Sequence, residues 1–122
     1  MSNPTIIKID GQEYVRRDSI NEKAEDCEGM EYCIVRTYSA GVFAGYIKGR
    51  TGKEVDLRYS RRIFYWKGAA SLSQLANEGV KNPDECKFAQ RVPITILTEA
   101  IEIIPATKKA QDSISEVPIW EI

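Results

Sequence analysis

The stretch Tyr32-Cys33-Ile34-Val35-Arg36-Thr37-Tyr38-Ser39-Ala40-Gly41-Val42-Phe43-Ala44-Gly45-Tyr46-Ile47-Lys48 decides the fold. Its first residues alternate, with Cys33, Val35 and Thr37 on one face and Ile34, Arg36 and Tyr38 on the other, the period of a strand. Ser39-Ala40-Gly41 permits a tight turn or bulge, and residues 42–48 return as a second strand carrying Phe43, Gly45 and Ile47 on one side. Arg50-Thr51-Gly52-Lys53 closes a hairpin into a third strand, where Val55, Leu57 and Tyr59 alternate with Glu54, Asp56 and Arg58. A fourth strand, residues 61–66, is rich in aromatics, and its Ile63 and Phe64 are expected in the core.

Working outward, Lys67-Gly68 ends that strand. Residues 71–79 carry a serine at the start, leucines at 72 and 75 and a closing glycine, which predicts a short helix. Asn82-Pro83-Asp84 predicts a turn, and residues 94–104 a long β-branched strand in which Glu99 and Glu102 imply a bend or an exposed edge. Thr107 precedes a final capped helix, and the apolar tail Val117-Pro118-Ile119-Trp120 is suited to dock back on the body. Upstream, Ile6-Ile7-Lys8-Ile9 and Glu13-Tyr14-Val15 flank Asp10-Gly11 as a hairpin, and residues 18–29 read as a surface connection. The expected fold is one mainly β domain over residues 1–122 with two short helices, built as a small, strongly bent sheet or an SH3-like or Sm-like barrel. An open α+β sheet is the alternative.

With 43% hydrophobic and 29% charged residues, the chain has the balance of a globular protein. Seventeen basic and eighteen acidic residues leave a net charge of -1, so a nucleic-acid partner or an anionic membrane is not expected on global charge. No apolar stretch approaches the ~20 residues of a membrane span, and residues 1–12 lack a signal-peptide pattern, so a cytoplasmic location, in the host, is expected. Cys27, Cys33 and Cys86 are odd in number, lack C-x-x-C spacing and are expected to be reduced. The absence of histidine excludes Ser-His-Asp and Cys-His triads and histidine-based zinc sites. Asp84-Glu85-Cys86 lacks a second soft ligand, and Glu99 and Glu102 fall on opposite sides of an extended segment, so no metal, cofactor or catalytic centre is expected.

Two blocks, Arg36-Thr37-Tyr38-Ser39-Ala40-Gly41-Val42-Phe43-Ala44-Gly45-Tyr46 and Arg61-Arg62-Ile63-Phe64-Tyr65-Trp66-Lys67-Gly68-Ala69-Ala70-Ser71-Leu72-Ser73-Gln74-Leu75, resemble a family of small phage and prophage proteins known as a domain of unknown function. The resemblance runs from about Tyr32 to Ser113 and implies a viral origin. Small phage proteins outside the virion often look like host-takeover or counter-defence factors, some of which bind host nucleotide signals without cleaving them. The resemblance therefore implies a non-catalytic, sequestering binder.

The residues suited to such a ligand lie in these blocks. Arg36, Tyr38 and Ser39 sit near one turn, and Arg61, Arg62, Tyr65 and Trp66 on another strand. Guanidinium groups pair with phosphates, and aromatic faces stack on bases. Ser71 and Ser73 add hydroxyls at a helix start. Against this, the aromatics are candidates for simple burial, and Arg61 and Arg62 for ion pairs with Glu54 or Asp56. Two further functions fit the same residues: a homo-oligomeric assembly or virion-associated protein using the aromatics and Trp120 as its interface, and an RNA-binding small barrel.

Overall fold

The computed structural model describes residues 8, 9, 12, 13 and 22–121. β1 (Lys8–Ile9) pairs antiparallel with β2 (Gln12–Glu13), the expected arms of the first hairpin. The turn residues Asp10 and Gly11, the outer arm residues and residues 18–21 of the following connection lie outside the described residues.

Six strands form one antiparallel sheet: β3 (Glu31–Thr37), β4 (Val42–Thr51), β5 (Glu54–Tyr65), β6 (Lys87–Phe88), β7 (Val92–Leu97) and β8 (Ala100–Pro105). Their order is β6-β5-β4-β3-β8, with β7 also paired to β5. β3 is apolar on both faces because both are covered. Cys33 and Val35 enter an inner core with Phe43, Val55, Leu57, Leu97 and Ala100. Tyr32 and Ile34 enter an outer core with Ala44, Ile63 and Phe88, roofed by helices α1 (Leu72–Glu78) and α2 (Lys108–Glu116).

The expected third and fourth strands are one strand, β5. The chain does not turn between them but bulges: Tyr59 takes φ 51°, and the register with β4 slips between the pairs Tyr46↔Arg58 and Ala44↔Arg61. The bulge bends the strand and moves the inward-facing set from Val55 and Leu57 to Ser60 and the Phe43-paired Arg62. Gly45 sits against this bend, and a Cβ placed on it would meet Ser60 Cβ at 2.6 Å and Ser60 Cα at 2.9 Å.

The expected single strand over residues 94–104 is two, separated at Thr98-Glu99. The bend lets one stretch of chain serve both sides of the sheet, with β7 on β5 and β8 on β3. The Ala100 N–H pins the corner by donating to the Lys53 carbonyl at 3.0 Å. β7 and β8 do not pair with each other, so the sheet is strongly bent but not closed into a barrel. No described helix is long and apolar enough to cross a membrane.

Both predicted helices are present with the predicted caps. Ser71 Oγ accepts from Gln74 N–H at 3.2 Å, and Gly79 at φ 77° ends α1. Thr107 Oγ1 accepts from Ala110 N–H at 3.1 Å and donates to the Asn77 carbonyl at 2.7 Å, tying the two helices together. The tail docks as expected: Trp120 N–H donates to the Phe88 carbonyl at 2.9 Å, and Val117 is buried.

Candidate ligand-binding surface

Alternation along β5 sends its two adjacent arginines to opposite faces, where they do different things. Arg61 is buried in the outer face and touches no described carboxylate. Its guanidinium donates to the carbonyls of Ala89 at 2.8 Å, Ile114 at 2.8 Å and Val117 at 2.9 Å, and packs over the Phe88 ring. Ile114 lies in the last turn of α2 and Val117 at its C-cap, so Arg61 caps that helix. Burial lowers its pKa, and the charge of Arg91 acts the same way. Its N–H groups are occupied by protein carbonyls, which takes Arg61 off any ligand surface. The expected ion pair of these arginines with Glu54 or Asp56 is made instead by Arg58, whose Nε lies 2.7 Å from Asp56 Oδ1.

Arg62 faces the other way and is exposed. Its guanidinium lies over the Phe43 ring at 4.7 Å and near the Phe64 ring at 5.9 Å. Among the described residues, Arg62 is the one arginine whose side chain makes neither a hydrogen bond nor an ion pair. It borders a groove of about 160 Å³ also lined by Phe43, Ser60, Phe64, Gln90 and Thr95. This groove is the open end of the inner core, where β5 changes partner from β7 to β6 and the chain between them bows away. Ser60 Oγ donates to Thr95 Oγ1 at 3.2 Å, which places two hydroxyls in its wall. A larger depression of about 240 Å³ at the β4–β5 hairpin is lined by Arg50, Glu54 and Asp56. Two carboxylates there oppose an anion, and Arg50 Nε already donates to the Gly52 carbonyl at 3.3 Å, so the Arg62 groove is the better candidate.

Beyond Arg62 the aromatics continue outward. Phe64, expected in the core, is 52% exposed, because it projects past the inner core at the mouth of the sheet. It meets Trp120 edge-on at 5.4 Å, and Lys87 Nζ stands over the Trp120 ring at 5.4 Å. Tyr65 is half exposed and pairs across the sheet with Lys87, whereas Trp66 is partly buried against the outer core.

The remaining expected site residues lie elsewhere. Arg36 Nε pairs with Glu102 Oε1 at 3.0 Å, and Ser39 Oγ donates to Glu99 Oε1 at 2.9 Å. Two carboxylates thus stand where a phosphate would have to bind. Tyr38 projects into solvent at 78% exposure from the same loop. Ser71 Oγ is engaged as the α1 cap, and Ser73 is exposed on that helix. Of the expected site residues, the structure groups Arg62 with Phe43, Ser60, Phe64, Gln90, Thr95 and, through Phe64, Trp120 and Lys87. The spacing of Arg62 and Phe64, two apart on a strand, is the one sequence signal that puts both on one face.

A family described as "Domain of unknown function (DUF6948)" matches residues 30–114, well over half of the chain. The chain belongs to the DUF6948 family. The match takes in β3, β4, all of β5 and both helices up to Ile114, so the Arg62 groove lies within it, while Trp120 lies beyond its end. No curated protein and no solved structure matches the chain.

Proposed function

We propose that this DUF6948 protein is a non-catalytic binder of a small nucleotide, held at the Arg62 groove. The observation that carries the reading is the arginine itself: a guanidinium supported from below by Phe43, without a described partner, at the rim of an apolar groove with polar walls. A guanidinium held over a ring and without a described side-chain partner keeps N–H groups available for a phosphate. The groove is smaller than the ~300–1,000 Å³ of pockets that enclose a whole drug-sized ligand. It takes one ring, whose edge meets Ser60, Thr95 and Gln90, and leaves the phosphate outside on Arg62. Among the described residues no pair of acid and base groups borders the groove, and the proposal is of a ligand held and not altered. With the viral origin that the blocks at residues 36–46 and 61–75 imply, the role is sequestration of a host nucleotide signal, in counter-defence.

The test is isothermal titration of the full chain with nucleoside monophosphates, paired with mass spectrometry of the ligand recovered afterwards. Arg62→Ala is expected to weaken binding at least tenfold with the fold intact by circular dichroism, and the ligand is expected to return unchanged. Failure of the wild type to bind any of the four ribonucleotides, or equal binding by Arg62→Ala, overturns the reading.

A second reading, a homo-oligomeric assembly, is favoured by one observation. Ile94 and Ile96 are half exposed on β7, a strand without a charged residue that pairs only with β5 among the described residues. Sedimentation equilibrium of the wild type and of Ile94→Lys separates this reading from a monomeric binder.

A further inference from the structure

We infer that the ligand consists of two linked nucleotide units, the second lying along Phe64, Trp120 and Lys87; this rests on the nucleotide reading of the groove. A single unit, with its ring in the groove and its phosphate on Arg62, leaves the outer half of the surface unused. That half repeats the chemistry of the inner half. Arg62 stands on Phe43 and Phe64 at 4.7 and 5.9 Å, and Lys87 stands on Trp120 at 5.4 Å. Phe64 and Trp120, 5.4 Å apart, join the two halves.

Neither cation has a described carboxylate or carbonyl partner, and, unlike Lys48, Lys53, Lys81 and Lys109, which also have none, each rests on a described aromatic ring. Two unpaired cations at the ends of an aromatic pair complement two anionic groups joined through planar rings. The Trp120 ring is 48% exposed, yet its backbone is bonded to Phe88, Ile119 bridges the same residue, and the ring itself is met edge-on by Phe64. A ring held in position but left half bare is a stacking platform for a base. The groove volume of about 160 Å³ admits one ring only, so a second base has to lie outside it.

The experiment titrates the full chain with AMP and GMP and with the 5′-phosphorylated dinucleotides pApA and pGpG. At least one dinucleotide is expected to bind about tenfold or more tightly than its mononucleotide, the gain of one stacked base and one more phosphate contact. Lys87→Ala, an exposed substitution, is expected to remove most of that gain, whereas Arg62→Ala weakens mono- and dinucleotide binding alike. In a Trp66→Phe background, leaving Trp120 as the only tryptophan, fluorescence is expected to be quenched by the dinucleotide and not by the mononucleotide. Equal affinities for mono- and dinucleotide, or a dinucleotide affinity and Trp120 signal indifferent to Lys87→Ala, overturn this inference and leave the groove reading standing. Absence of binding by all four compounds overturns this inference, and absence of binding by every nucleoside monophosphate as well overturns the groove reading.

Discussion

The guanidinium of Arg61 donates to the carbonyl of Ile114 at 2.8 Å, fastening the middle of β5 to the last turn of α2. The same Nη1 also donates to the Val117 carbonyl at 2.9 Å, at the C-cap of that helix. A positive charge among the carbonyls of a helix C-terminus is favourable in sign, and the bonds offset the cost of burying it. Arg61→Met, similar in length but without donors, takes the guanidinium from the carbonyls of Ala89 and Val117, while Ile114 and Phe88 keep backbone donors in Val117 and Trp120 N–H. We expect it to lower stability by about 3 kcal/mol in urea unfolding, a large share of the ~5–15 kcal/mol of a domain this size. Arg61→Lys keeps the charge but loses the planar fork and is expected to recover less than half of that loss. A loss under ~1 kcal/mol for Arg61→Met would show that the clamp is not structural.

Gly45 and Gly49 lie on the same strand and make opposite predictions. The Cβ of an alanine at 45 would fall 2.9 Å from Ser60 Cα, a backbone atom on the bulged strand that cannot rotate away, whereas nothing lies within 4 Å of a Cβ at 49. Gly45→Ala is expected to cost about 2–3 kcal/mol, and Gly49→Ala to stay within ~0.5 kcal/mol of wild type. Comparison of urea midpoints at constant m-value checks both.

These sites also show what the sequence could and could not convey. Alternation over residues 32–38 is enough to make β3, and the Ser71 and Gly79 caps are enough to bound α1, because each signal is local. Tyr59 was opaque: a non-glycine residue at positive φ carries no composition mark, so a bulged continuous strand reads as two. Alternation says that Arg61 and Arg62 part company, but not which of them is buried, since that depends on which face the helices cover. Phe64 reads as core for the same reason, and the open end of the sheet that exposes it is set by β6 and β7, more than 20 residues further along the chain. The docking of the tail was legible from its apolar run; that Trp120 would meet Phe64 was not.

Thr107 and Ser71 are both N-caps, yet the first is buried and the second exposed. Thr107 both accepts from Ala110 N–H and donates to the Asn77 carbonyl, so its removal breaks a cap and the tie between the helices. We expect Thr107→Ala to cost about 2 kcal/mol and Ser71→Ala about 0.5–1 kcal/mol, with Thr107→Ser close to wild type. Equal losses at the two positions would mean that the link to Asn77 contributes nothing.

Two buried groups are expected to weaken the fold in alkali. Burial, aided by the charge of Glu31, pushes the Cys33 thiol from its ordinary 9.0 up to about 12. Burial likewise raises the Tyr32 phenol on the other face of the same strand. In both, the folded state holds its proton more tightly than the unfolded state, so above pH 9 unfolding releases protons and stability falls as pH rises. The contribution is whole below pH 9 and is lost progressively through about 12, where the folded thiol itself ionises. Cys33→Ala is expected to flatten the decline between pH 9 and 10, and Cys33 is expected to resist iodoacetamide at pH 8 while the half-buried Cys27 reacts. An unchanged slope in Cys33→Ala would assign the alkaline decline to other groups.

Arg36 separates the loop at the β3–β4 turn from the groove. Its guanidinium is matched to Glu102 on the neighbouring β8, both side chains are about half exposed, and Ser39 beside it is bonded to Glu99. An exposed pair of this kind contributes ~0–1 kcal/mol, screened by salt, and its carboxylate repels an incoming phosphate. Arg36 lies on the Ile34 side of β3, whereas Arg62 lies beside Phe43 on the inner side. Arg36→Ala is therefore expected to change stability by less than ~1 kcal/mol and nucleotide affinity by less than about twofold, against a tenfold loss for Arg62→Ala. The reverse pattern in the same titration would move the phosphate from the groove to the β3–β4 loop.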